Sequence, residues 1–188
     1  MSICAIAAMS ENRIFGAQGK LPWYSRQHYA WFHYMTMRDQ LIMGRKTYQT
    51  VGKVFPGRKI FVLSRSIVTL PGAEVRSEIG DFVENRHSRY WVCGGSETYR
   101  LLLPRCRYLY LLRLFHNIPG DAFFPAFEQD FRLDGLIHLT EEFQIERWSH
   151  LEYQKFSMLP VEEWPFEDGA FLKNDPAQAL PEFAPQSC

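Results

Sequence analysis

Five short apolar runs recur along the chain: ICAIAAM, QLIMG, KIFVLS, RYWVCGG and RYLYLLRLF. Their apolar residues follow one another with little polar alternation, as in strands buried on both faces of a sheet. Between them, residues 26–37, 46–51, 79–85 and 97–103 carry apolar positions at helical spacing. Strand alternating with helix predicts an α/β fold, a mostly parallel sheet with helices on both faces. Later in the chain, LDGLIHLTEEF and HLEYQKFSML predict two longer strands joined by a turn, an antiparallel edge to that sheet. After residue 158 no period is visible. The extension 159–188 is rich in proline, and its acidic residues outnumber the single Lys173. Disorder is one reading of such a segment. Trp164, Phe166, Phe171 and Phe183 favour another, an irregular appendage that packs on a domain spanning 1–158.

Composition narrows the picture mainly by exclusion. A chain of 188 residues buries a core as one domain. Lys plus Arg and Asp plus Glu both number 21, so no overall field attracts nucleic acid or an anionic membrane. Cys4, Cys93, Cys106 and Cys188 are scattered, with no paired spacing for zinc, and read as reduced thiols; no metal is expected. The first residues lack a secretory pattern, and no stretch reaches about 18 apolar residues. These features lead us to expect a soluble, cytoplasmic monomer with a small-molecule substrate.

Three strand ends carry candidate chemistry. GRKT, Gly44 to Thr47, follows QLIM and opens a helix, where backbone N–H groups, Arg45 and Lys46 suit a phosphate. LSRS, with Leu63, Ser64 and Arg65, offers hydroxyls and a guanidinium. In CGGSETY, Gly94 and Gly95 permit close backbone approach, and Ser96 is a candidate cap for the next helix. Each alone is ordinary turn chemistry. Three together at the carboxyl edge of one sheet, where such folds bind ligands, suggest a nucleotide with an extra phosphate.

The ordered set IAAMSENRIFGAQGKLPW, AWF, MGRKTYQTVG, FPGRKIFVLSR, VCGGSETY and LYLLRLF closely resembles dihydrofolate reductases over roughly residues 3–158. The resemblance implies an eight-stranded sheet, NADPH as hydride donor, and a pterin between the first helix and the sheet. It places Ala8, Ile14, Gly16, Gly44, Arg45, Lys46, Thr47, Leu63, Ser64, Arg65, Gly94, Gly95, Ser96, Glu97 and Thr98 at the cofactor. Substrate contacts fall on Ile6, Ala7, Tyr29, Phe32, Val51, Phe55, Arg58, Cys93 and Leu112. Here Arg58 matches the arginine that grips the carboxylate of the substrate's glutamate tail; a surface arginine in a turn is the alternative. His28, Leu21 and Tyr99 fall at the reacting atoms, and residues 16–23 match the loop that closes over the nicotinamide.

Two positions depart from the family. His28 stands where the family carries Asp or Glu, and no carboxylate occurs between Gly16 and Arg38. The spacing His28, Trp31, Phe32, Met35 puts the histidine on the inward helical face. Leu112 replaces a threonine that in the family hydrogen-bonds both acid and pterin. A hydroxyl left without its carboxylate would be a buried unpaired group, and leucine removes that cost. With Ser25 as N-cap, His28 lies near the positive helix end; that position and burial both depress its pKa below about 6.5. It reads either as a neutral proton relay or as an uncharged wall residue.

Three readings follow, in this order. The first is an NADPH-dependent reductase of dihydrofolate or a related pterin with a rebuilt pocket. The second is a reductase of the same fold acting on another substrate, such as a ribosylated pyrimidine. The third is a non-catalytic NADPH- or folate-binding protein. The missing charge also leads us to expect insensitivity to diaminopyrimidine antifolates.

Overall fold

The computed structural model describes residues 2–23, 25–51, 55–66, 68–78 and 89–154. In chain order these form β1 (Ser2–Met9), β2 (Ile14–Gly16), α1 (Arg26–Met35), β3 (Gln40–Gly44), α2 (Arg45–Val51), β4 (Lys59–Leu63) and β5 (Glu74–Arg76). They continue as β6 (Arg89–Val92), α3 (Ser96–Leu102), a 3-10 turn (Leu103–Arg105), β7 (Tyr108–Leu114), β8 (Ala122–Phe123), β9 (Phe131–Leu139), β10 (Phe143–His150) and α4 (Leu151–Gln154). Eight strands build one sheet in the order β5-β4-β3-β6-β1-β7-β10-β9, and β2 pairs with β8 apart from it.

From β5 to β7 every pairing is parallel, and β7–β10 and β10–β9 are antiparallel. The expected α/β sheet with its antiparallel edge is therefore what the chain adopts. The reason is legible in β1, which lies between β6 and β7 and must be apolar on both faces. Cys4, Ile6 and Ala8 pack with Trp31 and Met35 of α1 and Tyr48 of α2. Ala5, Ala7 and Met9 face the other way, onto Tyr99 and Leu102 of α3. Fully burying a Met- or Leu-sized side chain contributes about 1.5–3 kcal/mol, so these two layers dominate the fold's stability.

The edge hairpin needs correction. Its second strand is Phe143–His150; of HLEYQKFSML only His150 belongs to it, and Leu151 begins the short α4. The pattern was hidden because β10 buries polar groups that find partners elsewhere in the fold. Glu146, 3% exposed, accepts from Arg113 Nε at 3.2 Å and Trp148 Nε1 at 2.8 Å. Short strands β2, β5 and β8 carry too few residues to show a period. Helix α1 ends at Met35, two residues before the expected end, where the Thr36 N–H bonds back to Phe32 and Arg38 takes a left-handed φ of 63°. The helix expected over 79–85 and the extension 159–188 lie outside the described residues.

Candidate active site

Helix α1 starts as expected. The Ser25 Oγ accepts from the His28 backbone N–H at 3.2 Å, which sets His28 in the first turn facing the sheet. Its side chain is buried beside Trp23, Tyr29 and Trp31, with ring centres 6.1, 5.6 and 6.3 Å away. Burial disfavours the imidazolium and pushes the pKa down to about 4. Trp23 Nε1–H donates to His28 Nδ1 at 3.4 Å. The strand facing this helix supplies no replacement acid: Leu112 is 1% exposed and lies opposite Ala8 in the β1–β7 ladder.

One apolar wall gathers much of the expected substrate set. Ile6, Phe55 and Leu112 belong to the same buried cluster as Trp31, with Phe32, Val51, Cys93 and Trp23 packed against it. The Phe32 and Phe55 rings are 5.0 Å apart. Ala7 and Tyr99 lie with the opposite cluster, so strand alternation leaves only the Ala7 backbone on the pocket side. Tyr99 is nonetheless tied to the site, because its buried hydroxyl donates to the Ile6 carbonyl at 2.7 Å. Tyr29, half-buried, stands next to His28 on α1.

Arg58 is held rather than free. Its Nε donates to Thr36 O at 3.1 Å and Nη2 to His33 O at 2.9 Å, and its guanidinium stacks 5.9 Å from the Phe55 ring centre. Arg58 is thereby fastened to the carbonyl end of α1. Its Nη1 has no partner among the described residues and remains available to a carboxylate. Burial and the Arg58 charge together lower the His33 pKa to about 4, so this neighbour does not add a competing charge near neutrality. His33 and Thr36 escaped sequence reasoning, since their contribution is largely backbone carbonyls whose placement depends on where α1 ends.

The glycine motifs converge. Gly44 N–H donates to Gly94 O at 2.7 Å, joining the ends of β3 and β6. A Cβ at Gly44 would sit 2.9 Å from Thr98 Oγ1, and one at Gly95 would sit 3.2 Å from Thr47 Oγ1. Gly94, joined to Gly95 by a cis peptide bond, has φ +104° and would bring a Cβ within 3.1 Å of the Tyr99 ring. Arg45 and Lys46 open α2 beside this cradle, while Ser64 and Arg65 follow β4. Arg65 reaches Glu97 at 3.8 Å; at 92% and 77% side-chain exposure the pair is weak, and it leaves Arg65 available to a phosphate. This backbone cradle with cations at its rim fits a dinucleotide phosphate. Ser96 requires correction: it is the first residue of α3, Gly95 occupies the cap, and no side chain caps the helix.

Ile14 is buried and pairs with Phe123, and Gly16 pairs with Ala122, so β8 holds the root of the loop that carries Leu21. Beyond it, Ala17 and Lys20 close a tight turn through Gln18 and Gly19, both at positive φ. Leu21 is half-buried between that turn and α1. Asp121, also not foreseen, accepts from the Gln18 N–H at 3.1 Å while its own N–H donates to Gly16 O at 3.2 Å. The neighbouring Gly120 permits this: a Cβ there would lie 2.6 Å from Gly16 O. The sequence signal was the turn-like PGD at 119–121. Among the described residues no group of His, Cys, Asp and Glu could hold a metal, Cys4, Cys93 and Cys106 are not joined in disulfides, and no helix is long and apolar enough to cross a membrane.

Comparison with known proteins agrees with this geometry. The model of the dihydrofolate reductase family matches residues 2–152. The chain is 34% identical over 130 residues to the dihydrofolate reductase of Bacillus subtilis (strain 168), covering 68% of this chain and 77% of that protein. It is 33% identical over 138 residues to the type 6 dihydrofolate reductase of Proteus mirabilis, covering 70% and 87%. Among solved structures, the Enterococcus faecalis dihydrofolate reductase complexed with NADP(H) and RAB-propyl superposes with a TM-score of 0.74 at 23% identity, covering 80% of this chain and 96% of that one. An eight-stranded, mostly parallel sheet with the expected antiparallel edge, a glycine cradle and an apolar wall along α1 thus coincide with a match over most of the chain's length, and the chain belongs to the dihydrofolate reductase family.

Proposed function

We propose that this protein is an NADPH-dependent reductase of dihydrofolate or a closely related pterin, producing tetrahydrofolate in a pocket rebuilt around His28. The observation that carries this reading is the continuity of the two half-sites. Cys93 packs in the apolar wall, and the next residue, Gly94, begins the cradle, so a ring held by one adjoins a dinucleotide held by the other. When bound, NADPH supplies a hydride. The protein's own work is then positioning. Arg45, Lys46 and Arg65 offset phosphate charge, Phe32 and Phe55 hold the flat ring, and Arg58 takes the substrate's carboxylate through a charge-assisted bond from Nη1. The loop bearing Leu21, rooted by Asp121, excludes water around the reacting atoms.

Proton delivery differs from the family pattern. With the pKa near 4, roughly 1 in 1000 His28 side chains is charged at neutral pH. His28 serves here by passing a proton to the ring through water from its small protonated fraction, which shrinks as pH rises above about 4. The test is NADPH oxidation with dihydrofolate at several pH values, for wild type and His28→Phe. Saturable turnover that falls as pH rises from about 4, with a flat profile in the variant, supports both the reductase and the relay. Identical rates and profiles make His28 a wall; binding of both ligands without turnover overturns the reductase.

A further inference from the structure

The contact between Trp23 and His28 has a consequence for what the pocket recognises. An indole nitrogen donates and never accepts, so His28 Nδ1, 3.4 Å from Trp23 Nε1, must be the unprotonated nitrogen. A neutral imidazole then carries its hydrogen on Nε2. Among the described residues the one hydrogen bond to the His28 ring is that to Nδ1, which leaves the Nε2–H to a ligand. One turn further along α1, Trp31 is 1% exposed, and its Nε1–H also lacks a partner among the described residues. The side chain facing this helix from β7, Leu112, can neither donate nor accept. Two unspent donors therefore lie along one turn of α1 where the family's carboxylate and hydroxyl would supply acceptors.

We propose that this site selects heterocycles by an edge of carbonyl oxygens over one of amino groups, and that Trp23 is the positioning residue that sets this preference by occupying His28 Nδ1. The inference takes the location of the ring from the reductase reading but does not need turnover. A ring edge carrying amino groups meets donors and leaves hydrogens unmatched on both sides, a desolvation cost without return. An edge carrying carbonyls meets the same donors productively. Specificity here is repulsive as well as attractive.

Two pteridines of one shape and opposite edges make the test: pteridine-2,4-dione and 2,4-diaminopteridine, titrated by fluorescence into the NADPH-saturated protein. Wild type is expected to bind the dione at least about tenfold more tightly, the effect of about one hydrogen bond gained rather than lost. Trp23→Phe, which keeps an aromatic wall but frees Nδ1, should remove most of that preference, and His28→Asp should reverse it. Nitrogen NMR of the free wild-type imidazole is the independent check and should find the hydrogen on Nε2. A hydrogen on Nδ1, equal or tighter binding of the diamino compound by wild type, or binding of neither pteridine overturns the proposal. Dihydrofolate turnover is read separately, so the reductase assignment stands or falls on its own.

Discussion

A histidine kept neutral by burial makes stability depend on pH in one direction. His28 has a folded pKa of about 4 against an ordinary value of 6.5, so between those values the unfolded chain binds the extra proton. Stability from this site is complete above about pH 6.5 and is lost as pH falls towards 4. The shift corresponds to about 3 kcal/mol. Urea unfolding near neutrality and near pH 4 should show that loss in wild type and a clearly smaller one in His28→Phe; equal losses would show that the folded state accepts the charge at little cost. The inward placement of His28 was legible because helical spacing with Trp31, Phe32 and Met35 needs no tertiary knowledge. Trp23 was not, since it lies in a loop whose path is set by α1, the turn at Gln18 and Gly19, and Asp121.

Among the secondary-structure elements, the cofactor cradle depends on backbones touching where side chains would intervene. Gly44→Ala is expected to weaken NADPH binding by at least about tenfold and cost about 1–3 kcal/mol of stability, because its methyl would meet Thr98 Oγ1 at 2.9 Å between two packed strand ends. Calorimetric titration and thermal unfolding check this, and an unchanged Kd would show that the strand ends can part. Arg58→Lys tests the other end of the cleft. Lysine cannot reproduce a fork that bonds Thr36 and His33 carbonyls and still offers a free nitrogen. KM for dihydrofolate should rise about 10- to 100-fold, whereas a pterin lacking the glutamate tail should be little affected; equal loss on both would assign Arg58 to holding α1. Elements with unbroken apolar runs, β1, β3 and β4, were readable because burial on both faces leaves one kind of sequence. The strand β10 was not, because Arg113, Gln144 and Trp148 satisfy Glu146 inside the fold and so permit a carboxylate where the pattern forbids one.

For the whole molecule, a net charge of zero says nothing of a nucleotide site, yet the sheet order brings the ends of β3, β4 and β6 to one edge, with Arg45, Lys46 and Arg65 around them. NADPH should therefore bind more tightly than NADH, by about two orders of magnitude, through charge-assisted bonds to the additional phosphate. Equal dissociation constants would remove the phosphate role of those residues. The central claim, that this family member reduces dihydrofolate without the usual acid, is tested most directly by steady-state NADPH oxidation at neutral pH in wild type and in the double variant His28→Asp, Leu112→Thr. The prediction is slow, saturable turnover by wild type and faster turnover once the carboxylate and its hydroxyl partner are restored together. No dihydrofolate-dependent oxidation by wild type, or a double variant that folds and is no faster, would contradict it.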